Sequence, residues 1–147
     1  MFERIVVGTD GSETATEAVR RAIDLARLSG ARLDIVAAFE PVSQTRIRDE
    51  KGEVPGDVSY AVGPREDVNV TLDGAVGMAK QEGVEAEPHP QQGDPADAIL
   101  DVAEKIGADL IVVGNKGMTG AKRFLLGSVP NKVSHHAPCG VYIVRTT

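Results

Sequence analysis

Four short aliphatic runs constrain this chain more than any other feature of it: Ile5-Val6-Val7, Leu33 to Phe39, Leu110-Ile111-Val112-Val113 and Val141-Tyr142-Ile143-Val144. A strand with one solvated face places apolar residues at every second position. Near-continuous Val/Ile/Leu runs instead belong to strands covered on both faces, as in a parallel sheet flanked by helices. A fifth segment, Val84 to Pro90, is polar and carries Pro88 and Pro90. Proline has no N–H to give to a central ladder, so this strand is expected at a sheet edge.

Helical spacing fills the gaps. Ala15, Ala18, Val19, Ala22, Ile23 and Ala26 make one apolar stripe, with Ser12 placed to cap it and Gly30 to stop it. Leu72, Ala75, Val76 and Ala79 make a second, ending at Gly83. Ile99, Val102, Ala103 and Ile106 make a third, with Asp94 as N-cap, Pro95 at the first helical position and Gly107 at the end. A fourth helix is expected to begin at Ser128 and stop before Pro138. Pro41 to Asp67 has no clear periodicity and reads as a long loop, a length typical of lids and binding loops.

Strands alternating with helices define a doubly wound α/β domain, with helices on both faces of the sheet. At 147 residues the chain is expected to be one domain, residues 1–147. Right-handed crossovers leave few topologies. The expected fold is a five-stranded parallel sheet of order 3-2-1-4-5, with a switch point between strands one and four. Ligands of such sheets bind outside the carboxyl ends of the strands at that crevice. Two segments converge there: Gly8-Thr9-Asp10-Gly11-Ser12 and the glycine-rich stretch after strand four.

Charge is distributed unevenly. The chain has 16 basic and 22 acidic residues, a net charge of −6, which argues against a nucleic-acid coat or a membrane-surface protein. Every acid lies at or before Asp109, while Lys116, Lys122, Arg123, Lys132 and Arg145 all follow it. An acidic protein with one cationic end is suited to collecting a small anion there. Five solvated cations that merely cluster are the bland alternative. No run approaches the ~20 apolar residues of a membrane span, and Met1 to Ile5 lacks the start of a secretory signal. The single cysteine, Cys139, precludes an internal disulfide. A cytoplasmic location is therefore expected.

The stretch Gly114-Asn115-Lys116-Gly117, followed after nine intervening residues by Gly127-Ser128, carries the most chemistry. Glycines at 114 and 117 let backbone approach a ligand closely. Gly127-Ser128 opens a helix whose free N–H groups and positive dipole end form an anion site, and Lys116 supplies counter-charge. Turn glycines plus an ordinary helix cap would explain the residues separately, but not their spacing.

That Gly-x2-Gly-x9-Gly-Ser pattern resembles the nucleotide-binding signature of the universal stress protein family. The resemblance extends through Ile5 to Ser12, through Ala108 to Gly114, and from Gly127-Ser128-Val129 to Ala137-Pro138-Cys139. It implies ATP binding, with Mg2+ as a companion of ATP. Asp10 would lie against the adenosine with Thr9 beside it, after Gly8, and the backbone of Ala38 would meet the adenine edge. Gly114 and Gly117, with Asn115 and Lys116 between them, would flank ribose and phosphates. Gly127, Ser128 and Val129 would cradle the phosphates. The chain departs from the family pattern at Pro130, which lacks a hydroxyl and a backbone donor, and at Gly140. A Gly-Ser-Val-Pro variant resembles actinobacterial members, some of which favour cyclic AMP, so cyclic AMP is the alternative ligand. The resemblance also implies a homodimer, paired through the exposed edge of strand 141–145.

An enzyme is not expected. Neither a Walker A loop nor a Gly-x-Gly-x-x-Gly dinucleotide loop is present. His135 and His136 are adjacent on a helix and diverge, so they do not make a metal pair. No general base stands out for efficient ATP hydrolysis, although slow turnover is compatible with the sequence. A receiver domain would need paired acids after strand one, where only Asp10 stands. A ligand-free interaction module is the remaining alternative.

Overall fold

The structure, a computed structural model, describes residues 2–39, 59–115 and 127–146. Among them the chain forms β1 (Arg4–Gly8), α1 (Glu13–Ser29), β2 (Arg32–Phe39), α2 (Ser59–Gln81), β3 (Ala86–Gln92), α3 (Pro95–Ile106), β4 (Leu110–Gly114), α4 (Ser128–His136) and β5 (Gly140–Val144). The five strands are all parallel in the order β3-β2-β1-β4-β5, as the sequence predicts.

Two apolar layers sandwich the sheet. Ile5, Val7, Leu33, Ile35 and Ala37 face α1 and α2, together with the buried alanine stripe of α1. Val6, Val36, Ile111 and Val113 face α3 and α4, whose Ile99, Val102, Val129 and Val133 complete the second layer. Each fully buried Val, Leu or Ile contributes about 1.5–3 kcal/mol of burial energy, so burial on both faces explains the near-continuous runs.

The expected caps form. Ser12 Oγ accepts from Ala15 N–H, and Gly30 ends α1 in the left-handed region at φ 76°. Asp94 caps α3, with Pro95 in its first turn and Gly107 closing it. One expectation fails. The segment expected as a loop to Asp67 is already helical from Ser59. Glu66, Asp67, Asn69 and Val70 are exposed, and the buried residues of this helix begin at Leu72. Between Glu66 and Val70 only Val68 packs against the core, too little of an apolar stripe for periodicity to display. Residues 41–58 of that expected loop lie outside the described residues.

The prolines of β3 also find their reason here. Leu33 N–H donates to Glu85 O, which sets odd-numbered β3 residues toward β2. Pro88 and Pro90 therefore occupy positions whose missing N–H would point away from the sheet. They cost the ladder no bond and disarm the outer edge.

Candidate functional site

The crevice is built by β1 leaving the sheet before its neighbours do. Pairing between β1 and β2 ends at Gly8 with Val36, and pairing between β1 and β4 ends at Val7 with Val112. Thr9 N–H still donates to Val36 O at 2.9 Å. Main-chain groups of alternate residues point to the same side of a strand. Since Val36 faces β1, so does Ala38, two residues beyond the last pair. Its N–H and C=O are thus turned toward the slot that β1 has vacated. On the far side, Asn115 N–H donates to Val144 O on β5, at 2.8 Å. Gly114 is therefore turned the other way, toward the same slot. One donor–acceptor pair and one glycine backbone face each other across the switch point.

The loop after β1 is tied down from within. Thr9 is 2% exposed, and its Oγ1 accepts from Gly11 N–H at 3.1 Å. Asp10 Oδ1 accepts from Ser12 N–H at 2.9 Å. Gly11 sits at φ 84°, where a Cβ would also lie 3.0 Å from Thr71 Oγ1, so this turn requires glycine. The Thr9 hydroxyl is spent on shaping the loop. The exposed Asp10 carboxylate is held at the crevice mouth.

At the other wall, Gly127 N–H donates to Asn115 O at 3.0 Å, joining the end of β4 to the start of α4. Asn115 Oδ1 accepts from both Thr146 N–H (2.8 Å) and Thr146 Oγ1 (3.0 Å). Asn115, expected among the ligand contacts, also acts as a clamp that joins Gly127 and Thr146 to the end of β4. Thr146 and Val144 were not foreseen, because nothing local marks a partner 31 residues away. A Cβ on Gly114 would meet Thr146 Cγ2 at 3.7 Å and the Thr14 carbonyl at 3.8 Å, ordinary contacts that the fold accommodates.

The N-cap of α4 is Gly127, with no side-chain cap bond, so the exposed Ser128 hydroxyl is not consumed by capping. Of the first N–H groups of α4, that of Gly127 is taken by Asn115 and Pro130 has none. Among the described residues no acceptor meets the N–H groups of Ser128 and Val129, at the positive end of the helix dipole. Lys132, one turn on, bonds Asp97 at 2.8 Å and lies 3.6 Å from Asp94. The hydrogen bond to Asp97, with the charge of both acids, raises its pKa above the ordinary lysine value. Lys132 thereby fastens α4 to α3. Lys116, Gly117, Lys122 and Arg123 lie outside the described residues.

A groove of about 580 Å3 opens on the α1 side, lined by Gly11, Thr14, Arg20, Arg145 and Thr146 among others. Through Thr146, which bonds Asn115, this groove adjoins the wall that leads to the start of α4. Cys139 is a poor nucleophile: burial, then the charge of Asp109, pushes its thiol pKa above the ordinary range.

A doubly wound sheet with a main-chain donor–acceptor pair and a helix N-terminus at its switch point has the crevice at which α/β domains of this kind bind their ligands. The chain belongs to the universal stress protein family, whose model matches residues 1–145. Universal stress protein Rv1636 of Mycobacterium tuberculosis is 37% identical over 147 residues, covering 99% of this chain and 98% of that protein. A crystal structure of a universal stress protein in complex with cAMP is similar at TM-score 0.77 and 32% identity, covering 99% of both chains. The universal stress protein from Archaeoglobus fulgidus in complex with dAMP is similar at TM-score 0.66 and 27% identity, covering 98% of both.

Proposed function

We propose that this chain is an adenine-nucleotide-binding regulatory protein, acting in the cytoplasm as a homodimer and without dedicated catalysis. The observation that carries the reading is the crevice itself. Ala38 offers one N–H and one C=O to a base edge, and two N–H groups and a hydroxyl at the start of α4 await a phosphate. The solved relatives in complex with cAMP and with dAMP support an adenine nucleotide. ATP is the ligand that the glycine spacing favours. Residues 110–147 contain no carboxylate, so Mg2+ arriving with ATP would be coordinated by its phosphates rather than by this stretch.

A second reading, cyclic AMP, has a specific observation behind it. With Gly127 N–H engaged and Pro130 lacking one, the described start of α4 supplies donors for a single phosphate. Calorimetric titration of nucleotide-free protein with ATP, and separately with cyclic AMP, tests both. Tighter ATP binding supports the triphosphate site, and tighter cyclic AMP binding supports a second-messenger buffer or sensor. Binding of neither by folded protein overturns the proposal in favour of a ligand-free interaction module. Phosphate release at no more than a slow side rate is expected for ATP.

A further inference from the structure

The inner half of β2 holds a charged cluster that the nucleotide crevice does not use. Asp34 is completely buried in the middle of the sheet. Its Oδ1 lies 2.8 Å from His89 Nε2 on β3. Its Oδ2 is buried and makes no hydrogen bond, the nearest charge being Arg4 Nη2 at 3.7 Å. Glu87 stands directly opposite Asp34 in the β2–β3 register and pairs with Arg32. One oxygen from each carboxylate and one imidazole nitrogen all lie within 4.8 Å of one another. An unsatisfied buried carboxylate oxygen carries a free-energy cost, and the carboxylate that bears it belongs to this three-residue grouping.

We propose that Asp34, Glu87 and His89 form a divalent-cation site, of the class that Zn2+ fills. One imidazole and two carboxylates are a donor set suited to Zn2+, and three protein ligands leave a fourth position for water. Ligand atoms around a tetrahedral Zn2+ with ~2.0–2.2 Å bonds sit roughly 3.4 Å apart, so a grouping within 4.8 Å needs the side chains to draw together by about an ångström to hold the ion. Pro88 and Pro90 restrict the backbone on either side of His89, which preorganises the edge strand. The site lies four residues before Ala38 on β2, about 13 Å along the strand, so it is separate from the crevice. Arg4 and Arg32 neutralise the carboxylates in the absence of a cation. Both side chains are more than a third exposed and can swing into solvent as an ion enters. The cation then competes with two guanidinium groups, which gives the site an unusual signature: removing an arginine strengthens binding.

The test is calorimetric titration of the nucleotide-free full chain with Zn2+, with Co2+ absorption as a report of coordination geometry. One equivalent is expected to bind, weakened at least tenfold in His89→Ala and in Asp34→Asn, and tightened severalfold in Arg4→Met. Should buried Asp34→Asn fail to fold, half-buried His89→Ala carries the test alone. Native Zn2+ affinity in folded His89→Ala, or weaker rather than tighter binding in Arg4→Met, overturns the proposal. So does the absence of a 1:1 event in the native chain, which leaves the cluster as a structural salt-bridge network.

Discussion

At the scale of single residues, the crevice separates groups that shape it from groups that can touch a ligand. Asp10 does both: its Oδ1 holds Ser12 N–H while the carboxylate stays exposed. Asp10→Asn keeps the acceptor and removes the charge. It is expected to melt like the native protein and to bind nucleotide at least tenfold more weakly, about 1.4 kcal/mol. Asp10→Ala is expected to lose the same affinity and also about 1 kcal/mol of stability. Unchanged affinity in Asp10→Asn would remove the carboxylate from the contact. Ala38 offers a cleaner probe, because its N–H faces the crevice and not the β3 ladder. Ala38→Pro therefore deletes a ligand donor without deleting a sheet bond, and titration should show binding lost in a protein with native circular dichroism. Retained binding would show that the base sits elsewhere. The sequence marked Asp10 and Gly114 because glycine and short polar residues after a strand have few other uses. It did not show that Asn115 is also a clamp to Thr146, because a clamp between strand ends is visible only once the strands are side by side.

Secondary-structure elements were legible wherever both a cap and a buried stripe were present. α1 and α3 carry both, and their ends fall at Ser12, Gly30, Asp94 and Gly107 as read. The front half of α2 has exposed residues where a stripe would be, so its helical state could not be read from periodicity. On the proposed reading, α4 is the element on which the choice between ATP and cyclic AMP would turn. Pro130 stands in its first turn, where a missing N–H costs the helix no internal bond but costs the site a donor. Pro130→Ser restores that N–H beside those of Ser128 and Val129. The ratio of ATP to cyclic AMP affinity is expected to rise about tenfold, the worth of one charge-assisted hydrogen bond of roughly 1.5 kcal/mol. Paired titrations of native and variant protein measure it, and an unmoved ratio would mean that the distal phosphates do not reach this turn.

Across the whole molecule, the sheet has two edges and treats them differently. The β3 edge carries Pro88 and Pro90 at its outward positions, so a second strand cannot dock along it with a complete ladder. The β5 edge, Gly140–Val144, has no proline, and Tyr142 on it is 39% exposed. Among the described residues nothing pairs with the outer edge of β5, so any self-association through the sheet is expected there, where a second copy of β5 would be a self-complementary partner under two-fold symmetry. Because Asn115 N–H bonds Val144 O, even-numbered β5 residues face β4 and the N–H groups of Val141 and Ile143 face outward. Val141→Pro removes one outward donor and no bond to β4. Sedimentation velocity is expected to show a dimer for the native chain and a monomer, or a dimer at least tenfold weaker, for Val141→Pro with native circular dichroism. A variant that dimerises as tightly as the native chain would place the interface off this edge. The crevice lies at the carboxyl ends of β1, β2 and β4, and its Asn115 clamp draws on Val144 and Thr146 at the end of β5. Strand pairing at β5 would therefore brace the wall that holds Gly114 and Gly127, and nucleotide affinity in Val141→Pro is expected to fall together with dimerisation.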